Sequence, residues 1–136
     1  MKLLLFYADK FVCTPTMKTL DSFPETGESI SVNNAVLAFI HVEPKDLEDK
    51  NKTVTRIIKN LKWMMNKLKT NTVVMHSFAH LASEKADPET AFEIFVNAKE
   101  RLENSGYETV ITPYGYFHDL NMNLPGNPMT RIFKEF

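Results

Sequence analysis

The apolar positions of this chain fall into a few short unbroken runs and two long periodic ones. Residues 2–8 (Lys2 to Ala8) form an apolar run without alternation, which predicts a strand buried on both faces. A tight turn at Asp9–Lys10 is then expected, with residues 10–17 returning as a second strand. Residues 20–32 are polar and carry Pro24 and Gly27, so they read as a loop. Ala35 to Val42 is a second buried run and a third strand.

From residue 45 to 70 the pattern changes period. Val54, Ile57, Ile58, Leu61, Met64, Met65 and Leu68 recur at spacings of three and four, the stripe of a helix lying on a sheet. Thr72 to His76 is the next strand. A second helix starts at Pro88, with Asp87 as N-cap and proline in the first helical position. Its stripe is Ala91, Phe92, Ile94, Phe95, Ala98 and Leu102, and Gly106 closes it. Tyr107 to Ile111 and Tyr116 to Met122 complete the set. The order β-β-β-α-β-α-β-β predicts one α/β domain over residues 1–136, a sandwich with a mixed sheet and two long helices.

Composition narrows the classes without choosing among them. A hydrophobic share of 43%, a charged share of 24% and a net charge of -1 describe a globular chain with no bulk attraction for nucleic acid. Lys59, Lys62, Lys67 and Lys69 form a local basic group on the first helix, read most simply as a solvated face. The single cysteine, Cys13, excludes an internal disulfide and suits a reducing cytoplasm; in Phe11–Val12–Cys13–Thr14 it reads as a buried thiol. No run approaches the ~20 apolar residues of a membrane span. The run from Leu3 to Tyr7 is too short for a signal peptide before Asp9 and Lys10.

The candidate chemistry sits in two segments at strand ends: Val73 to Ser83 and Thr112 to Leu120. Each is an apolar run ending in a turn that carries a histidine. His41 reads as structural. His76 and His80 have the four-residue spacing of a metal pair, but one belongs to a strand and the other to the following turn. The segment Phe78–Ala79–His80–Leu81–Ala82–Ser83 has the small residues to begin a short helix, whose free N–H groups would suit an ester carbonyl or carboxylate. The alternative is a histidine that fixes the turn. Pro113–Tyr114–Gly115–Tyr116–Phe117 sets three aromatics around one glycine, to stack on a base or to pack over the sheet edge. His118 beside Asp119 suggests a base with an orienting carboxylate, although strand neighbours face opposite ways. There is no GxSxG, no P-loop and no Rossmann fingerprint.

These segments resemble the N-terminal editing domain of archaeal threonyl-tRNA synthetases, which has a D-aminoacyl-tRNA deacylase-like fold. The resemblance runs through Lys2–Leu3–Leu4–Leu5–Phe6–Tyr7–Ala8–Asp9, Ala35 to Glu43, Phe78–Ala79–His80–Leu81, Pro113–Tyr114–Gly115–Tyr116 and Gly126–Asn127–Pro128. It implies hydrolysis of the ester of seryl-tRNA made in error for threonine, a second sieve needed because one methyl group discriminates by only ~1–3 kcal/mol. It implies that backbone groups hold the aminoacyl-adenosine, that no cofactor or metal is required, and that the chain is a homodimer. The tRNA 3′ aminoacyl-adenosine end is the implied ligand and threonyl-tRNA synthetase a further partner.

Carried onto this chain, the pocket histidine is His80, with Ala82 and Ser83 near it, and Tyr116 and Phe117 complete the substrate-binding set. The lysine that places water in the family is replaced by His118, and the tyrosine before it by Phe117. Arg131 stands where the family carries an acidic residue. His118 and His80 are thus the expected catalytic residues. Three readings stay open: a deacylase, a catalytically altered binding module for an amino acid, nucleoside or synthetase, and a metal-dependent hydrolase using His76, His80 and His118. Thr130 to Phe136 does not read as a linker, so a free-standing chain is expected.

Overall fold

The computed structural model describes all residues from Met1 to Phe136. Six strands form one mixed sheet: β1 (Lys2–Lys18), β2 (Ile30–His41), β3 (Thr72–Ser77), β4 (Glu108–Ile111), β5 (Tyr116–Asn123) and β6 (Arg131–Glu135). The spatial order is β4-β3-β2-β1-β5, with β6 also on β1. β2, β3 and β4 are parallel, and β1 is antiparallel to all three of its partners. Helices α1 (Lys50–Leu68) and α2 (Pro88–Asn104) make the two parallel crossovers. Both pack on one face of the sheet, against Leu3, Leu5, Val36, Ala38, Ile40, Val73 and Met75. The fold is the α/β sandwich of the D-aminoacyl-tRNA deacylase type.

The helices end where their punctuation predicts. Asp49 accepts from the Lys52 N–H at 3.1 Å to cap α1, and Asp87 accepts from the Thr90 N–H at 2.9 Å to cap α2. Gly106, with φ +89°, follows α2 and lets the Tyr107 N–H turn back to the Leu102 carbonyl at 3.0 Å. The expected helix over 45–70 is divided, because Pro44–Leu47 is a separate 3-10 turn. Asp46 is the cause: its buried carboxylate accepts from the Glu43 N–H at 2.7 Å and from the Met1 amine at 3.1 Å, which fixes the turn before Asp49 starts α1.

The largest departure concerns the first eighteen residues. There is no turn at Asp9–Lys10: β1 is one strand of 17 residues. Its register with β2 is the same from Lys2 against His41 to Cys13 against Ile30, with only the Asp9 position left out of the ladder. What changes at Asp9–Lys10 is the face. Leu4, Phe6 and Ala8 share a second cluster with Phe11 and Cys13, so the alternation slips by one residue. Across the pair, β2 slips as well: Val32 joins the same cluster as Ala35, Leu37 and Phe39. Asn34, opposite Asp9, absorbs the slip with a left-handed φ of +52°, and its carbonyl accepts from the Thr70 hydroxyl. A one-residue break in alternation looks like a turn in sequence; here it is a twist point that lets the sheet curl over its own second face.

The other edge of β1 is shared. Lys2–Phe6 pairs with β6 and Lys10–Lys18 pairs with β5. β6 carries only Ile132 inward, with Phe133 half-exposed, too weak a pattern to predict a strand.

Because Lys10 is bonded to a strand on each side, Lys10→Pro separates a turn from a continuous strand. Proline is tolerated in a turn but removes a ladder bond here, so urea unfolding should show a loss of about 3 kcal/mol or more. Unchanged stability would restore the turn.

Candidate functional site

Where β3 and β4 end, the chain leaves the sheet in two turns, and a cavity of about 420 Å³ opens between them. Segments Ser77–His80 and Thr112–His118 form its walls, with Lys85 and the start of α2 at the side. A larger groove of about 630 Å³ lies between α2 and Phe23–Thr26, and contains none of the histidines.

The first turn is held by a histidine, but not by His80. His41 is fully buried at the end of β2; its Nε2 donates to the Glu84 carbonyl at 2.7 Å and its Nδ1 accepts from the Leu81 N–H at 3.1 Å. A carbonyl only accepts and an N–H only donates, so this is the neutral Nε2–H tautomer. The Phe78 N–H goes to the Ile40 carbonyl and the Ala86 N–H to the Val42 carbonyl. These bonds draw residues 78–86 across the end of β2, and the short helix expected within Phe78–Ser83 does not form. The amides of Ala79 and His80 donate to no acceptor in the chain. His80 is exposed at the cavity rim, its ring 4.9 Å from that of Phe78. Ala82 and Ser83 lie further along the turn and do not reach the cavity wall.

The second turn is fixed from both sides. Tyr114 donates to the Pro88 carbonyl at 2.7 Å and packs its ring 4.7 Å from Phe92 and 4.8 Å from Phe23. Tyr116 accepts from the Thr26 N–H at 2.9 Å and donates to the Pro24 carbonyl, fastening the loop after β1. The Gly115 carbonyl takes the Thr19 N–H at 2.7 Å. Gly115 has φ +84°, a conformation that favours glycine, and a Cβ there would also press on Leu20 at 3.1 Å.

β5 alternates strictly: Tyr116, His118, Leu120 and Met122 face inward, and Phe117 and Asp119 outward. Phe117 is 55% exposed although it borders the cavity; Asp119 cannot orient His118. A bulge between Pro15 and Met17 on β1 lies beside this point, with the Thr16 hydroxyl donating to the Phe117 carbonyl at 3.1 Å. Arg131 opens β6, bonded to the Pro125 carbonyl, and lies outside the cavity wall. The α1 lysines are also outside it; Lys62 is engaged by Ser105 and the Tyr107 ring.

The histidine brought to His118 is His76, with ring centroids 5.1 Å apart, and not His80. His76 Nδ1 meets the Thr112 hydroxyl at 2.8 Å. His118 Nε2 is buried without a partner. Behind them sits Cys13, fully buried, whose thiol is pushed up to about 12 by burial. The donor atoms of Cys13, His76 and His118 lie within 4.8 Å of one another. Sequence reasoning missed Cys13 because the slip at Asp9–Lys10, which decides its face, is invisible in composition. Lys85 was missed because a lone exposed lysine in a turn carries no signal.

Two outcomes follow. His41→Phe strips partners from the Leu81 N–H and the Glu84 carbonyl, so stability should fall by about 2 kcal/mol, and amide exchange should accelerate first across residues 78–86. Exchange unchanged there would contradict the anchoring role. The second concerns pH. Burial, and then the charge on His118, hold His76 down to about 4, and burial lowers His118 as well. The folded state therefore binds fewer protons than an unfolded imidazole titrating near about 6.5, so this stability is complete above that pH and lost as pH falls towards about 4. With chelator present, stability should drop by about 2 kcal/mol between about pH 7 and pH 5, and His76→Gln should flatten the slope. A flat wild-type profile would show the imidazoles to be solvated.

Comparison with known proteins agrees with this architecture. The family model described as "Archaea-specific editing domain of threonyl-tRNA synthetase" matches residues 1–136. The chain is 25% identical over 135 residues to a threonine–tRNA ligase of Thermococcus sibiricus, covering 97% of this chain and 22% of that protein. It is 26% identical over 137 residues to that of Methanocaldococcus jannaschii (99% and 22%) and 27% identical over 135 residues to that of Pyrococcus horikoshii (97% and 22%). The chain thus spans about a fifth of the length of the curated relatives it matches. Among solved structures, the "c-Myc DNA Unwinding Element Binding Protein" superposes with a TM-score of 0.74 at 14% identity, over 100% of this chain and 99% of that one, a match of fold alone. Matched along its whole length, with the two turns and their glycine in place, this chain belongs to the archaea-specific editing-domain family of threonyl-tRNA synthetase.

Proposed function

We propose that this domain edits aminoacyl-tRNA, hydrolysing the ester between a small amino acid and the 3′-terminal adenosine, with seryl-tRNA(Thr) as the first candidate. Family membership supports the tRNA-editing role. The single observation that carries the hydrolytic reading is the cavity between the two turns, with the free amides of Ala79 and His80 on its wall. Its volume of about 420 Å³ is in the range that holds a small ligand. Backbone donors aimed into a partly apolar cavity stabilise the oxyanion that forms when water attacks an ester carbonyl. In this reading the ester carbonyl meets those amides, and Tyr116 and Phe117 contact the adenosine side. His80 exchanges protons at the rim, and His118 shapes the floor. Lys85, at the cavity side, attracts the phosphate of the incoming 3′ end. The homodimer and the association with threonyl-tRNA synthetase belong to the same proposal.

A second reading has its own observation. The unpartnered Nε2 of His118 is buried, so that nitrogen is not open to a substrate in the cavity. A domain with the amides but without an accessible base binds an aminoacyl-adenosine and does not turn it over.

Purified protein assayed against seryl-tRNA(Thr) separates the two. Deacylation is expected well above the spontaneous rate and lost when Ala79→Phe fills the wall. His80→Ala should lower the rate by about 10²-fold, the usual size of a general acid–base contribution. No hydrolysis of seryl-, alanyl- or D-aminoacyl-tRNA, with calorimetric binding of a non-hydrolysable seryl-adenosine analogue, would replace the enzyme with the binding module.

A further inference from the structure

We propose that Cys13, His76 and His118 form a binding site for one zinc(II) ion at the floor of the cavity. Three neutral, softly basic side chains from three strands meet with their donor atoms within 4.8 Å of one another. Zinc bonds of about 2.0–2.3 Å place tetrahedral donors roughly 3.3–3.8 Å apart, so small side-chain rotations close the set around an ion.

The surroundings are those of a ligand shell. A metal-bound imidazole characteristically gives its other nitrogen to a neighbour that fixes ring and tautomer. His76 does so: Nδ1 meets the Thr112 hydroxyl at 2.8 Å, leaving Nε2 for the ion. Thr112 is itself buried, held by its N–H to the Met75 carbonyl. His118 contributes a second imidazole, whose Nε2 is buried and unpartnered. A buried polar atom without a partner is uncommon, and a bound ion is one of its ordinary explanations.

Cys13 completes the set from behind. It faces inward beside Leu120, two residues along β5 from His118 on the same face. A thiol in apolar surroundings keeps its proton until a cation arrives. Binding is therefore written with a proton released: the Cys13 S–H bond breaks, the sulfur pair forms the S–Zn bond, and the proton passes to solvent. Cys13 does not line the cavity, whereas His76 and His118 do, and three protein ligands leave a fourth tetrahedral position for a water or ligand oxygen. A site of three protein ligands with one open position is the form that zinc takes where it handles substrate.

The donor set is softer than the triad His76, His80 and His118 that spacing suggests, because Cys13 stands in the place of His80. It also departs from the metal-free pattern that the family resemblance implies. The inference rests on these three side chains and is independent of the editing reading.

Cobalt(II) provides a readout that does not involve activity. The full chain, stripped with a chelator and titrated with cobalt, should bind one ion per chain. The expected signature is the visible absorption of tetrahedral cobalt with a thiolate-to-cobalt charge-transfer band in the near ultraviolet, both displaced by zinc. Cys13→Ser should abolish the charge-transfer band, and Thr112→Val should weaken zinc binding by about 10-fold through the second shell. His80→Ala should leave metal binding unchanged. Circular dichroism checks each fold; His118→Gln, at a half-buried position, takes the place of Cys13→Ser if that variant does not fold, and should lower affinity at least as far as Thr112→Val. No charge-transfer band in the wild type, or binding equal in Cys13→Ser or His118→Gln, would overturn the site. Deacylation by chelated protein bears on the editing reading alone, so either proposal can fail without the other.

Discussion

The structure depends on one strand being long enough to serve both ends of the sheet. β1 pairs from Lys2 to Cys13 with β2 and divides its other edge between β6 and β5. A straight strand of 17 residues would present its second half to solvent, since both helices lie against the first half. The slip at Asp9–Lys10, matched by Asn34, turns that half so that Phe11 and Cys13 pack with Leu37, Phe39 and Val74. The sheet covers its second face with itself. The His118 wall of the candidate site inherits its position from this twist: β5 follows β1, and His118 follows β5.

The parts of the fold legible in sequence are those that depend on local chemistry. The stripes of α1 and α2, their Asp caps and the Gly106 stop are set within a few residues, and the structure keeps them. The parts that misled depend on partners far away. Asp9–Lys10 is polar because it marks a change of face, not a change of direction. Asp46 breaks the first helix because of a contact with Met1, at the far end of the element order. Arg131–Glu135 becomes a strand only because β1 offers an unpaired edge to it. The site shows the same division. Gly115 and the aromatics around it were legible, although Tyr114 and Tyr116 turn out to fasten the walls. The turn at Phe78–Ser83 was found, but its shape is set by His41, which reads from sequence as merely structural. It is structural, and by that route it leaves two amides free.

The electrostatics of the cavity follow from the same geometry. The imidazoles at its floor are buried and biased towards the neutral form, and neither has a carboxylate beside it, since Asp119 faces outward. Such a floor offers lone pairs and no fixed charge. The rim offers His80, Lys85 and backbone N–H groups, which suit a ligand with a carbonyl or carboxylate and a phosphate behind it.

The central claim is that this cavity, and not the larger groove along α2, receives the aminoacyl-adenosine. Amide chemical shifts recorded while a non-hydrolysable seryl-adenosine analogue is added test it most directly. The account predicts that the largest changes fall on Ala79, His80 and Gly115, with those of Val96 and Lys99 in the groove unmoved. Changes confined to the groove, or none at saturating analogue, would contradict it.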